Sequence, residues 1–149
     1  MKHWIVFGIV SLGTFALCQF QARSELKEVT FERTRCFGAC PAYKVTLRAN
    51  GTLTYVGQAF VPRVGTYTAK FWGNDLEKLS QLARRNGIWH LKDKYSLQIT
   101  DQASQKLTLK GAGTKTIDEY GHSGPVELWG FQMAIDGILE NARDWKKVK

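Results

Sequence analysis

The 149-residue sequence has no Gly-rich phosphate loop, no internal repeat and no recognisable nucleophile motif. The first absence removes the usual nucleotide-cradling chemistry. The second removes repeat architectures. The third leaves hydrolysis without an obvious starting residue. No apolar run is long enough to be a comfortable membrane span. Cysteine and histidine are scarce, three of each. Acidic residues are also few, 13 against 21 Lys and Arg, for a net charge of +8. That excess is scattered, with close pairs only at Arg84-Arg85 and Lys146-Lys147. It reads as a basic solvated surface and argues against a nucleic-acid footprint.

What is present begins with a short basic start, Lys2 and His3, followed by the apolar stretch from Trp4 to Val10 and Leu12, Phe15, Ala16 and Leu17. This is the length and order of a signal peptide. Ala16-Leu17-Cys18 places small residues at −3 and −1, so residues 1–18 are expected to be removed. A cut after Ala22 would put bulky Phe20 at −3. Lipoprotein anchoring through Cys18 is disfavoured because Leu17 precedes it, and an uncleaved anchor is a third arrangement. Cleavage leaves no stable membrane span and places the product in the periplasm or outside the cell. Residues 19–27 form a polar lead-in, and residues 28–145 one domain. A domain of this size buries enough surface that a disulfide is permitted by export but not required for folding.

Val29 to Thr34 alternates apolar and polar, as a strand does. Tyr43 to Arg48 and Thr52 to Val56 alternate again around Asn50-Gly51, a strong hairpin signal in which both turn positions take positive φ. Phe60-Val61-Pro62 and Gly65 to Phe71 supply one or two further strand pieces. A helix follows: Asn74 is its N-cap, Glu77 sits in the capping-box position, and Gly87 takes the left-handed cap. Gln105 to Lys110 and Lys115 to Tyr120 make a second hairpin through Gly111-Ala112-Gly113. The last helix starts at Pro125 and runs to about Ala142. Its inner stripe is Leu128, Phe131, Ile135, Ile138, Leu139 and Ala142, widened by Trp129 and Met133. Trp145 pins the end and the basic tail frays. The order strands, helix, strands, helix predicts an α+β fold: an antiparallel sheet of four to six strands with two helices packed on one face. The cysteine segment is expected to cross one edge or end of that sheet.

The stretch Thr34-Arg35-Cys36-Phe37-Gly38-Ala39-Cys40-Pro41-Ala42-Tyr43 resembles the Cys-Phe-Gly-x-Cys-Pro-x-Tyr segment of a bacterial family, domain of unknown function 6438. Asn50 to Tyr55 is similar to that family's hairpin. Leu91-Lys92-Asp93-Lys94-Tyr95 with Thr100-Asp101 is similar to its middle motif. Asp118-Glu119-Tyr120-Gly121 and the last helix also fit, so the likeness covers residues 28 to 142. After Asp101 the family often has a proline and an aromatic, where this chain reads Gln102-Ala103-Ser104. The resemblance implies a fold grouping and export, and supplies no activity. It marks Phe37, Gly38, Pro41, Tyr43, Asp93, Tyr95, Asp101, Asp118 and Tyr120 as motif residues.

Three chemistries stay open. In the leading one Cys36 and Cys40 form a disulfide, since Gly38 lets the chain turn between them. Pro41 then fixes φ into the next strand, Tyr43 packs as a core aromatic, and Asp101 bonds backbone amides in its loop. The domain is then a small exported binding or interaction module without catalytic residues, cofactor or metal. Its partner is a cell-envelope protein or a glycan, met by exposed aromatics such as Trp72, Trp89 or Trp129. The second is thiol redox or Cu(I) binding by Cys36, Cys40 and His90 or His122. Against it, Pro41 leads into a strand pattern and not a helix. The third is hydrolysis by Asp101 and Asp118, with Asp93 and Glu119 as further carboxylates. The disulfide closes so short a loop that Cys36→Ser is expected to cost only about 2 kcal/mol. Mass-spectrometric thiol mapping of that variant should find a free thiol at Cys40; an unchanged thiol count would refute the pairing.

Overall fold

The computed structural model describes residues 26–148. The expected signal peptide and most of the lead-in lie outside them. In chain order come β1 (Glu28–Arg33), β2 (Ala42–Arg48), β3 (Thr52–Ala59), β4 (Gly65–Lys70) and α1 (Asp75–Arg85). After a 3-10 turn (Ile88–His90) come β5 (Lys94–Ser96), β6 (Ser104–Lys110), β7 (Thr114–Tyr120), α2 (Val126–Glu140) and β8 (Arg143–Lys147). All eight strands join one sheet in the order β5-β7-β6-β1-β2-β3-β4-β8. Every pairing is antiparallel except the parallel contact of β5 with β7.

Alternation divides the sheet into two unlike faces. On one face Val29, Phe31, Val45, Leu47, Leu53, Leu107, Leu109 and Ile117 are fully buried. Leu76, Leu79 and Ala83 of α1 and Leu128, Phe131 and Ile135 of α2 close over them in one cluster. Both helices therefore cover the same face, as the element order requires. The other face is open and polar. Thr116, Thr108, Thr30, Thr46, Thr54 and Thr68 lie side by side in one row across six strands. Beside it Lys94, Asp118, Lys106, Glu32 and Lys44 form a row of strictly alternating charge. On the far side of the threonines Glu28 sits between Lys110 and Arg48, at 2.8 and 3.7 Å.

The sheet exceeds the expected four to six strands at both edges. β5 is three residues long, too short to show a period. β8 is charged throughout except for Trp145 and reads as a fraying tail, yet it pairs along β4. Trp145 holds it there, edge-on to Tyr55 and Tyr67. Residues 60–62 form bends in place of a strand. The turn at Asn50-Gly51 spans three residues and places only Gly51 at positive φ, 78°. That is the form in which an ordinary turn is followed by one left-handed residue. At α1 the N-cap is Asn74, but no side-chain cap bond forms, and Glu77 instead accepts from Gln81. Gly87 is left-handed as expected. On α2, Met133 does not widen the inner stripe: it is 70% exposed, and Gln132 takes the buried place.

The connection after β3 folds back so closely that a Cβ on Gly57 would lie 1.8 Å from the carbonyl oxygen of Arg63. Backbone cannot yield as a side chain does. Gly57→Ala is therefore expected to displace residues 60–64 and to cost about 1–3 kcal/mol. Urea unfolding checks this; a wild-type midpoint would refute it.

Candidate functional site

The strand directions bring four connections to one end of the sheet: residues 34–41, 60–64, 97–103 and 121–125. The cysteine loop is the first of them, so the segment does cross a sheet end. Cys36 and Cys40 stand at disulfide-bonding distance with Cα atoms 5.7 Å apart. The loop is also latched to its neighbour. Thr34 N donates to Ser104 O at 2.9 Å, Ser104 N returns to Thr34 Oγ1 at 2.9 Å, and Phe37 N donates to Asp101 O at 3.2 Å. At the apex the Phe37 ring is 90% exposed. Positive φ among non-glycine residues concentrates here: Phe60 at 52°, Asp101 at 66° and His122 at 51°. Such backbone is uncommon for a bulky residue and clusters at sites of function.

The motif residues divide between the two faces. Tyr43 faces the covered side, stacked on Tyr55 at 5.5 Å and 26°. Its hydroxyl donates to Asp136 Oδ1. Arg33 Nη2 donates to Asp136 Oδ2 at 2.8 Å, and the Arg33 guanidinium lies over the Phe31 ring. Asp136 thus joins Arg33 and Tyr43, a link that the sequence reading missed. The one available signal was a carboxylate directly after the stripe residue Ile135. Asp93 pairs with Lys115 at 2.5 Å, which ties the 91–95 segment to β7, and within that segment the Tyr95 hydroxyl accepts from Lys92 N at 3.1 Å. Asp101 acts through its main-chain carbonyl and its left-handed backbone, and among the described residues its carboxylate bonds no loop amide, contrary to expectation.

Asp118 and Glu119 point to opposite faces. Asp118 is exposed and pairs with Lys106 at 3.4 Å. Glu119 is buried and accepts from Gly124 N, Trp129 Nε1 and Gln132 Nε2 at 2.8–2.9 Å. No hydrogen bond or ion pair joins Asp101 to Asp118 among the described residues. His122 contacts Gln105 and Trp129, while His90 sits in the 3-10 turn. Among the described residues no group of three or more His, Cys, Asp or Glu side chains is placed to hold a metal. Trp72 lies beneath the Arg143 guanidinium at 3.8 Å.

Between β5, β7, β6 and β1 the open face carries a groove of about 670 Å³. Its floor takes Tyr120 and Asp118 from β7, Ser96 from β5, Ser104 and Lys106 from β6, and Thr34. The Tyr120 hydroxyl accepts from Gln102 N at 3.2 Å, which anchors the ring. Chemically the groove offers hydroxyls, one aromatic ring and charges that already face opposite charges.

These features define an α+β domain with one covered and one open sheet face and a latched cysteine loop at one end. The chain belongs to the family described as domain of unknown function (DUF6438), whose model matches residues 27–139, from the start of β1 to near the end of α2. No curated protein matches it.

Burial pushes the Tyr43 phenol well above its ordinary value of 10.0; the Arg33 charge opposes this, and the Asp136 charge and hydrogen bond add to it. Tyr55 is raised as well, first by burial. The neutral phenols belong to the native state, while unfolded tyrosines ionise near 10. Their contribution is complete below that pH and is lost as pH rises beyond it. Urea unfolding from pH about 8 to about 11 should show a steep alkaline decline that Tyr43→Phe makes shallower. At neutral pH the same variant should lose about 1.5–3 kcal/mol with the bond to Asp136. An alkaline limb identical in both proteins would refute the assignment.

Proposed function

We propose that this is an exported, non-catalytic binding domain that takes a neutral glycan along the groove around Tyr120. The observation that carries the reading is the composition of that groove: an anchored aromatic ring among hydroxyls, on a face whose charges alternate. A sugar ring lies its C–H face on an aromatic and exchanges hydrogen bonds with hydroxyls and charged groups at its edge. A polyanion would instead need several uncommitted cations, and here Lys106 is matched by Asp118, which leaves Lys94 as the one lysine of the lining without an ion pair among the described residues. The closed cysteine loop supports this role by fixing Thr34 at the groove's end, which is reason to expect the Cys36–Cys40 bond to be oxidised in the native compartment. Export rests on the signal-like residues 1–18. A protein partner at Phe37 is a second reading, favoured by the exposure of a ring held on a latched loop.

Amide shifts recorded during titration with cellotetraose and chitotetraose test the first reading. Perturbation should gather at residues 94–96, 104–106 and 118–120, and Tyr120→Ala should weaken binding roughly tenfold. The reading fails if no neutral oligosaccharide perturbs these residues or if Tyr120→Ala binds as tightly as wild type.

A further inference from the structure

On the covered side of the same end lies a second cavity, of about 330 Å³, with no part in the groove. We propose that it binds a small monocarboxylate with an apolar body, the carboxylate received by Arg63 and the Tyr55 hydroxyl. The volume is at the lower end of ligand-binding cavities, which sets the size. Its walls are largely apolar and aromatic: Pro41, Phe60, Val61, Pro62, Leu139 and Trp145.

The charged groups around it are Arg33, Arg63, Asp136 and Glu140, and their commitments differ. Asp136 spends both oxygens, one on Arg33 and one on Tyr43. Arg33 is therefore neutralised within the wall. Glu140 stands exposed at the mouth, in water. Arg63 is the group left over. It stacks on Trp145 with its central carbon 4.2 Å from the ring centroid, and no carboxylate lies within salt-bridge distance of it among the described residues. A guanidinium whose central carbon sits over an indole still carries its N–H donors in a planar fork, which a carboxylate matches. Tyr55 lines the cavity beside it and has no hydrogen-bond partner among the described residues. One free guanidinium with one phenol suits a single negative charge. A phosphate dianion would meet the Asp136 and Glu140 carboxylates without a second free cation.

The loop that carries Arg63 is built at some cost. Phe60 holds positive φ with its ring 62% exposed at the rim, and Gly57 leaves room for the Arg63 carbonyl. Backbone kept in a sparsely populated conformation is the mark of a segment positioned for a purpose.

The test compares 3-phenylpropionate with its neutral isostere 3-phenylpropanamide by amide-shift titration of the folded domain. The acid should perturb Tyr55, residues 60–63 and the Trp145 indole, and bind roughly tenfold more tightly than the amide. Arg63→Gln should remove that advantage while the melting temperature holds, and Arg63→Lys should restore part of it. Equal binding of acid and amide, shifts confined to the open face, or an Arg63→Gln variant that still prefers the acid would each overturn the proposal. The wild-type comparison alone decides the matter if the variants fold poorly.

Discussion

Asp136 holds the cysteine end of the molecule together. It projects from α2 and receives the Tyr43 hydroxyl with one oxygen and the Arg33 guanidinium with the other. Those two residues flank the cysteine loop, one on the strand that enters it and one on the strand that leaves it. A single carboxylate thus fixes the last helix against both strands, and the loop between them inherits their spacing. The partly buried geometry makes the arrangement demanding. Removing the acid would leave a guanidinium and a phenol desolvated without a partner, which costs more than the pair contributes when intact.

The two faces of the sheet deal with charge differently. On the open face, cations and anions alternate between neighbouring strands, so each acid lies between two bases: Asp118 between Lys94 and Lys106, Glu32 between Lys106 and Lys44, Glu28 between Lys110 and Arg48. Each such pair is worth little in water. Their shared effect is to favour this strand order, because exchanging β1 with a neighbour would set the bases of β6 and β2 side by side. On the covered face charge is rare, and Glu119 is surrounded there by donors from Gly124, Trp129 and Gln132.

The parts of this fold that were legible in the sequence are those coded by neighbours. The alternation from Val29 to Thr34 and from Tyr43 to Arg48, the glycine turns and the Leu128–Phe131–Ile135 stripe needed only local reading. The edge strands were not legible, because pairing with β7 or β4 decides them: β5 is too short for a pattern, and β8 looks like solvated tail until Trp145 finds Tyr55 and Tyr67. The capping box at Asn74 and Glu77 had the right letters, but Glu77 bonded Gln81 instead. At the candidate sites, Tyr120 and Asp118 were marked by resemblance and do share the groove. Asp136 and Arg63 escaped notice because their importance comes from partners 93 residues away in one case and from a ring at the far end of the chain in the other.

The direction of β1 has a consequence for how the domain can be presented. The strand begins beside the 111–113 turn, where Lys27 N bonds Lys110 O, and runs to the cysteine loop at the opposite pole. Leu26, just before it, is anchored in the core. Leu26 therefore marks the pole away from the four loops, about 20 Å distant across a six-residue strand. A tether joined there would act as a stalk, and the loop end would be the head, free to turn outward.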